Sequence, residues 1–250
     1  MNRKRTDLRT ATITLAVLLL VGACSSSSPY PQMNADEVLE EAEALYDEEE
    51  WGDAVEALEH FVGRFAVHDR QADARWMLAN SYFERGDYIQ AATEFDGFAA
   101  SHMGDPRAPE AALMSCRSYA ELAPIPERDQ EYTQRARDRC DFVARDYPGT
   151  DAAEEALEVR DEMVELLAEK DFLAGEQYKD LSAYDSAIIY FEEVVENFPE
   201  TSWAPRALLA KYESYREIGY DREAEETRER LLADFPDSPE AEEIQGTADG

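Results

Sequence analysis

Small and aromatic residues return along this chain at fixed intervals. In the stretch Asp171–Pro199, Gly175 and Tyr178 are followed by Ala187 and Phe191, and Pro199 closes the run. Small residues at Gly175 and Ala187 let two helices approach closely. Tyr178 and Phe191 fill the space around that contact, and Pro199 stops the second helix. The nine-residue step from Tyr178 to Ala187 returns from Tyr82 to Ala91 and from Tyr215 to Ala224, with Leu45 and Ala54 as a degenerate copy. Tyr119 and Ala136 repeat the pairing with eight extra residues between them. About five helix-turn-helix units result. No single unit buries its apolar face alone, so the units stack.

The elements follow from the same positions. Asn34 or Asp36 caps a first helix whose apolar residues Val38, Leu39, Ala42, Leu45 and Tyr46 keep helical spacing. Glu50–Asp53 is its turn and Ala54–Phe65 its partner helix. Arg70–Arg85 and Tyr88–Ser101 pair around Gly86, which suits a left-handed helix end. A third pair starts at Pro106 or Pro109 and is interrupted by the proline-bearing loop 123–130, which no helix crosses. Asp151–Tyr178 reads as one long helix capped by Asp151 and Glu154. The small/aromatic frame resembles the tetratricopeptide (TPR) pattern. The expected fold is therefore all-α, a TPR-type superhelix of about five repeats. Repeats 1–2 occupy 35–101, repeat 3 occupies 106–148, repeats 4–5 occupy 150–236, and 237–250 is a disordered tail.

The start of the chain follows different rules. Arg3, Lys4, Arg5 and Arg9 precede the apolar run Ala11–Val21, too short for a membrane span but suited to a signal peptide. Val21-Gly22-Ala23-Cys24 resembles a bacterial lipoprotein signal. The resemblance implies a signal peptide at 1–23, removed by cleavage before Cys24, and acylation of Cys24. Ser25 resembles the sorting signal for the outer membrane. Residues 24–34, with four consecutive serines, read as lipid anchor and flexible tether.

Charge narrows the partners. Asp and Glu number 57 against 24 Lys and Arg, for a formal net charge of −33. Nucleic acid, which needs a basic footprint, is excluded. The acidity reads as a solvated surface or as a match for a basic partner. His60, His68 and His102 lack metal-ligand spacing, and the run Asp47–Glu50 lacks a calcium-loop pattern. No nucleophile elbow, phosphate loop or dinucleotide fingerprint occurs, so no metal, cofactor or catalytic residue is expected. Cys116 and Cys140 fall in the two helices of the third pair. With packed helices 8–10 Å apart and disulfides needing Cα atoms within about 7 Å, two buried thiols are expected in preference to a disulfide.

Together the lipoprotein signal, short tether and five units resemble the BamD family of β-barrel assembly lipoproteins. The resemblance covers residues 24–240. It is sharpest from Asp146-Tyr147-Pro148-Gly149-Thr150 through Asn197-Phe198-Pro199-Glu200-Thr201, and Glu50-Trp51-Gly52-Asp53-Ala54 is similar too. It implies a lipid-anchored scaffold at the periplasmic face of the outer membrane that supports BamA, through BamA's periplasmic domains, in inserting β-barrels. Residues 150–235 would face BamA. Residues 36–101 would form a groove for extended segments of another assembly lipoprotein or an unfolded barrel substrate. Tyr46, Trp51, Phe65, Trp76, Tyr82 and Tyr88 are the groove candidates, because extended peptides need flat apolar pockets. At helical spacing such aromatics are also core candidates. A different periplasmic TPR lipoprotein, serving a cell-wall or export complex, is the alternative.

Overall fold

A computed structural model describes residues 30–246. Every regular element among the described residues is helical. A short 3-10 turn, Tyr30–Gln32, leads into five antiparallel pairs: α1 (Ala35–Asp47) with α2 (Trp51–Arg64), α3 (Gln71–Arg85) with α4 (Tyr88–Ser101), α5 (Ala108–Ala120) with α6 (Glu131–Asp146), the end of α7 (Asp151–Asp180) with α8 (Tyr184–Asn197), and α9 (Trp203–Glu217) with α10 (Asp221–Asp234). A last helix, α11 (Pro239–Gly246), packs on α9 and α10.

Local chemistry sets the ends. Asn34 Oδ1 accepts the Glu37 N–H at 3.1 Å while Glu37 returns a carboxylate to the Asn34 N–H at 2.9 Å, a complete capping box. Four pairs turn through one left-handed residue: Glu49 (φ 60°), Gly86 (85°), Ser182 (59°) and Gly219 (79°). Each lies four residues after Leu45, Tyr82, Tyr178 or Tyr215, so the turn keeps the same frame as the packing positions. The second helices end at Phe65, His102, Tyr147, Phe198 and Phe235. The step between these ends is 37 residues at both extremities of the stack. It is eight longer where the loop 123–130 intervenes and fourteen longer across α7.

The core forms two clusters. One runs from Tyr30 through Phe61, Phe95 and Cys140 to Ala156. The other joins Ala187, Phe191 and Leu208 to Ile244. The 30-residue α7 belongs to both, its first turns packing on α5 and α6 and its last on α8 and α9.

Several expectations change. The tail expected to be disordered at 237–250 is helical over Pro239–Gly246, with Ala241 and Ile244 buried. Ser238 Oγ accepts the Ala241 N–H at 3.1 Å and starts it. The second helix begins at Trp51, not Ala54. Thr150, rather than Asp151, caps α7, accepting the Ala153 N–H at 3.2 Å. The tether ends earlier than residue 34, because Tyr30 is already buried. Cys116 and Cys140 form a disulfide rather than two thiols, with Cα atoms 5.2 Å apart. The 8–10 Å spacing applies to helix axes. Each Cα lies about 2.3 Å off its axis, so facing residues fall well inside bonding range. Alanines 108, 111 and 112 and Ser115 keep α5 thin on its buried side. The signal segment 1–23 and Cys24 lie outside the described residues.

Candidate functional site

Of the repeat-packing residues, Gly175, Ala187 and Phe191 are buried and Tyr178 packs on the same core, while Pro199 is exposed. A Cβ added at Gly175 would lie 2.5 Å from Phe191 Cε1 and 2.7 Å from Cδ1. Only glycine admits that ring. Ala187 and Phe191 are fully buried, and Tyr178 stacks on Tyr190 with centroids 5.2 Å apart. Pro199 follows the end of α8.

The six aromatic groove candidates divide: Tyr82 belongs to the first core cluster, Tyr46, Phe65 and Trp76 pack against it, and Trp51 and Tyr88 are not part of it. Tyr46 meets Trp51 edge-on at 5.3 Å across the first turn. Phe65 packs on Phe61 at 5.6 Å. Trp76 meets Phe95 and Phe98 at 5.8 and 5.5 Å, and Tyr88 meets Phe83 at 5.4 Å. Tyr82 is buried at 7% exposure and donates its hydroxyl to Glu59. Burial, that hydrogen bond and the Glu59 charge push its phenol well above the usual range. The other five are partly buried.

Between repeats 2 and 3 the surface opens into a cavity of about 460 Å³ lined by Asp96, Ala99, Met103, Arg139, Phe142 and Tyr147 among others. Arg139 pairs with Asp96 and lies 4.7 Å over the Phe142 ring. This recess was not legible in the sequence, since it needs the ends of α4 and α6 side by side. The 123–130 loop is likewise ordered by a residue with no motif. Gln130, 5% exposed, donates to the Ile125, Pro126 and Arg128 carbonyls at 2.9, 3.3 and 3.1 Å. It also accepts from Thr133 at 2.5 Å.

Charge clasps join neighbouring helices. Arg107 grips Asp105 through Nε and Nη2 at 2.9 and 2.7 Å and reaches Asp73 at 3.1 Å, with its guanidinium 5.2 Å from the Phe98 centroid. The Arg107 side chain and backbone N–H hold the Asp105 carboxyl down at about 2. Glu192 on α8 takes Lys211 from α9 and Arg230 from α10, the latter at 3.0 Å. Partial burial pushes its carboxyl up, but these two cations outweigh that and leave it below its ordinary value.

Among the described residues, no three His, Cys, Asp or Glu side chains gather in a way that could hold a metal ion. No helix there is long and apolar enough to cross a membrane. Five stacked helix pairs joined by interhelix clasps define a TPR-type repeat fold. The YfiO family model, described as "Outer membrane lipoprotein", matches residues 31–232, which span all five pairs. The chain belongs to that family.

Two relatives give the scale of the similarity. The "Outer membrane protein assembly factor BamD" of Caulobacter vibrioides is 26% identical over 234 residues, covering 90% of this chain and 76% of that one. The protein of the same name in Rickettsia prowazekii is 25% identical over 226 residues, covering 90% of each. Among solved structures, the TPR2AB-domain complex of yeast Sti1 is similar over 83% of this chain and 80% of that one, at 15% identity and a TM-score of 0.41.

Proposed function

We propose that this chain is a BamD-like scaffold of the β-barrel assembly machinery, supporting insertion of outer-membrane β-barrel proteins. The observation that carries this reading is the family match across residues 31–232, because it covers every repeat and not one generic helix pair. Acyl chains on Cys24 anchor the protein at the periplasmic face of the outer membrane. One acyl chain binds marginally, whereas two or more hold stably. The buried Cys116–Cys140 disulfide supports an exported location, where such bonds persist. The scaffold works by binding and not by catalysis.

The two core clusters suit two partners. The carboxy-terminal repeats, about 150–235, face the periplasmic domains of a BamA-like barrel protein. The amino-terminal repeats, about 36–101, receive extended segments of other assembly lipoproteins or of unfolded barrel substrates, with the partly buried Tyr46, Trp51, Phe65 and Tyr88 as contact candidates. Depletion of the protein is expected to lower outer-membrane barrel proteins as a class. Affinity purification from detergent-solubilised outer membranes is expected to recover a large barrel protein with periplasmic repeats in near-stoichiometric amount. Unchanged barrel levels, together with recovery of cell-wall enzymes alone, would refute the reading.

A further inference from the structure

The stack has two long edges. One carries the turns within pairs, where Ile125, Leu181 and Tyr220 are exposed. The other carries the turns between pairs, where α2 meets α3 and α4 meets α5. Val67 and Met103 stand on those two turns, 97% and 79% exposed, and no large apolar side chain among the described residues is more exposed than either. An isolated exposed apolar residue is ordinary. Val67 and Met103 stand on adjacent turns of one edge and Ile125, Leu181 and Tyr220 on successive turns of the other, so the point where the chain enters the fold has to choose between them.

The chain enters the fold at this same edge. Tyr30 packs against His60 near the end of α2, with centroids 5.9 Å apart, and Asp36 meets His68 on the α2–α3 turn at 3.3 Å. Six residue steps separate Tyr30 from Cys24. Fully extended they reach at most about 22 Å, at 3.6 Å per residue. The helices that separate the two edges are 13 to 16 residues long in the first three pairs, about 20–24 Å. A lipid on Cys24 therefore joins the fold at the between-pair edge of repeats 1–2, which lies no more than about 22 Å from the anchor.

One unpaired cation stands at this edge of an otherwise acidic chain. Among the described Lys and Arg side chains, only Arg64 and Arg128 have no ion-pair partner. Arg64 lies at this edge, one helical turn after His60, with its guanidinium 5.9 Å over Phe65. Arg70 and Arg107 pair with Glu43, Asp73 and Asp105 nearby, while Asp36, Glu37 and Asp69 add acidic charge to the same edge. An arginine over an aromatic ring beside exposed aliphatic tips suits the boundary between headgroups and acyl chains.

We propose that the edge formed by Arg64, Phe65, Val67 and Met103 rests on the lipid headgroups of the membrane that holds the anchor. This rests on the acylation of Cys24 proposed above. The test uses the full acylated protein in phosphatidylethanolamine–phosphatidylglycerol vesicles. Cysteines introduced singly at Val67, Met103, Ile125 and Leu181 carry an environment-sensitive fluorophore; Cys116 and Cys140 are bonded and Cys24 is blocked. The expected result is a blue shift and loss of iodide quenching at 67 and 103, with quenching by headgroup nitroxide lipids, and no change at 125 and 181. Arg64→Glu should restore iodide quenching at 67. If the protein floats with vesicles but all four labels are quenched alike, the edge proposal is wrong and the anchor stands. If Cys24→Ala floats equally well, the anchor reading fails and the edge proposal with it. Shielding that requires added outer-membrane proteins and ignores nitroxide lipids would assign the edge to a protein partner and overturn the proposal.

Discussion

At Gly175 the absence of a side chain is what the neighbouring ring requires. The Phe191 ring occupies the space a Cβ would take, and both residues are buried. Gly175→Leu should cost roughly 1–3 kcal/mol by overpacking. Chemical denaturation would read this as a lower midpoint, and an unchanged midpoint would mean the fourth pair is packed elsewhere. Asp105 makes a second, pH-dependent case. Its folded pKa of about 2 lies below the ordinary 3.8 of an aspartate. A depressed carboxylate adds stability above its unfolded pKa and loses it as pH falls through the folded one. Asp105→Asn should therefore be destabilised in full at pH 7. Its deficit relative to the parent should shrink as pH falls from about 4 towards 2. Urea titrations at several pH values measure that convergence; a deficit constant with pH would argue against the Arg107 clasp.

The element scale shows how far spacing carries. Helix pairs, the left-handed turn at Gly86 and the continuity of α7 were readable because each depends on residues a few positions apart. The same frame has a consequence for turns that lack glycine. Ser182 holds φ 59° where Gly219 serves the next pair. A left-handed L-residue costs about 1–2 kcal/mol, so Ser182→Gly should raise the melting temperature, part of the gain being offset by the entropy of an added glycine. Calorimetry decides it. What spacing could not reach was tertiary. Trp76 at helical spacing looks the same whether it faces a peptide or, as here, packs on Phe95 and Phe98. Helix α11 stands outside the frame and is held chiefly by Ala241 and Ile244. The Cys116–Cys140 bond depends on how closely two particular faces approach, which interaxial averages hide. The cavity beside Met103 needs two helix ends brought together across 40 residues of chain.

For the whole molecule, the disulfide closes a loop with a sequence separation of 24 inside the third pair, where the first core cluster gives way to α7. Loop-closure entropy puts its contribution at about 3–4 kcal/mol. The double variant Cys116→Ala/Cys140→Ala should unfold at a clearly lower denaturant concentration than the oxidised parent, and reduction of the parent should reproduce the shift. Equal midpoints would show that packing alone holds the pair. Beyond that joint, α7 is a strut. It has no proline, its one glycine is packed against a ring, and its 30 residues are embedded in one core at the start and in the other at the end. The two ends of the scaffold are thus geared together. At about 1.5 Å per residue the helix is near 45 Å long, so a tilt of roughly ten degrees at its anchored end swings the far end by about 8 Å. A push on the amino-terminal repeats arrives, magnified, at the carboxy-terminal ones.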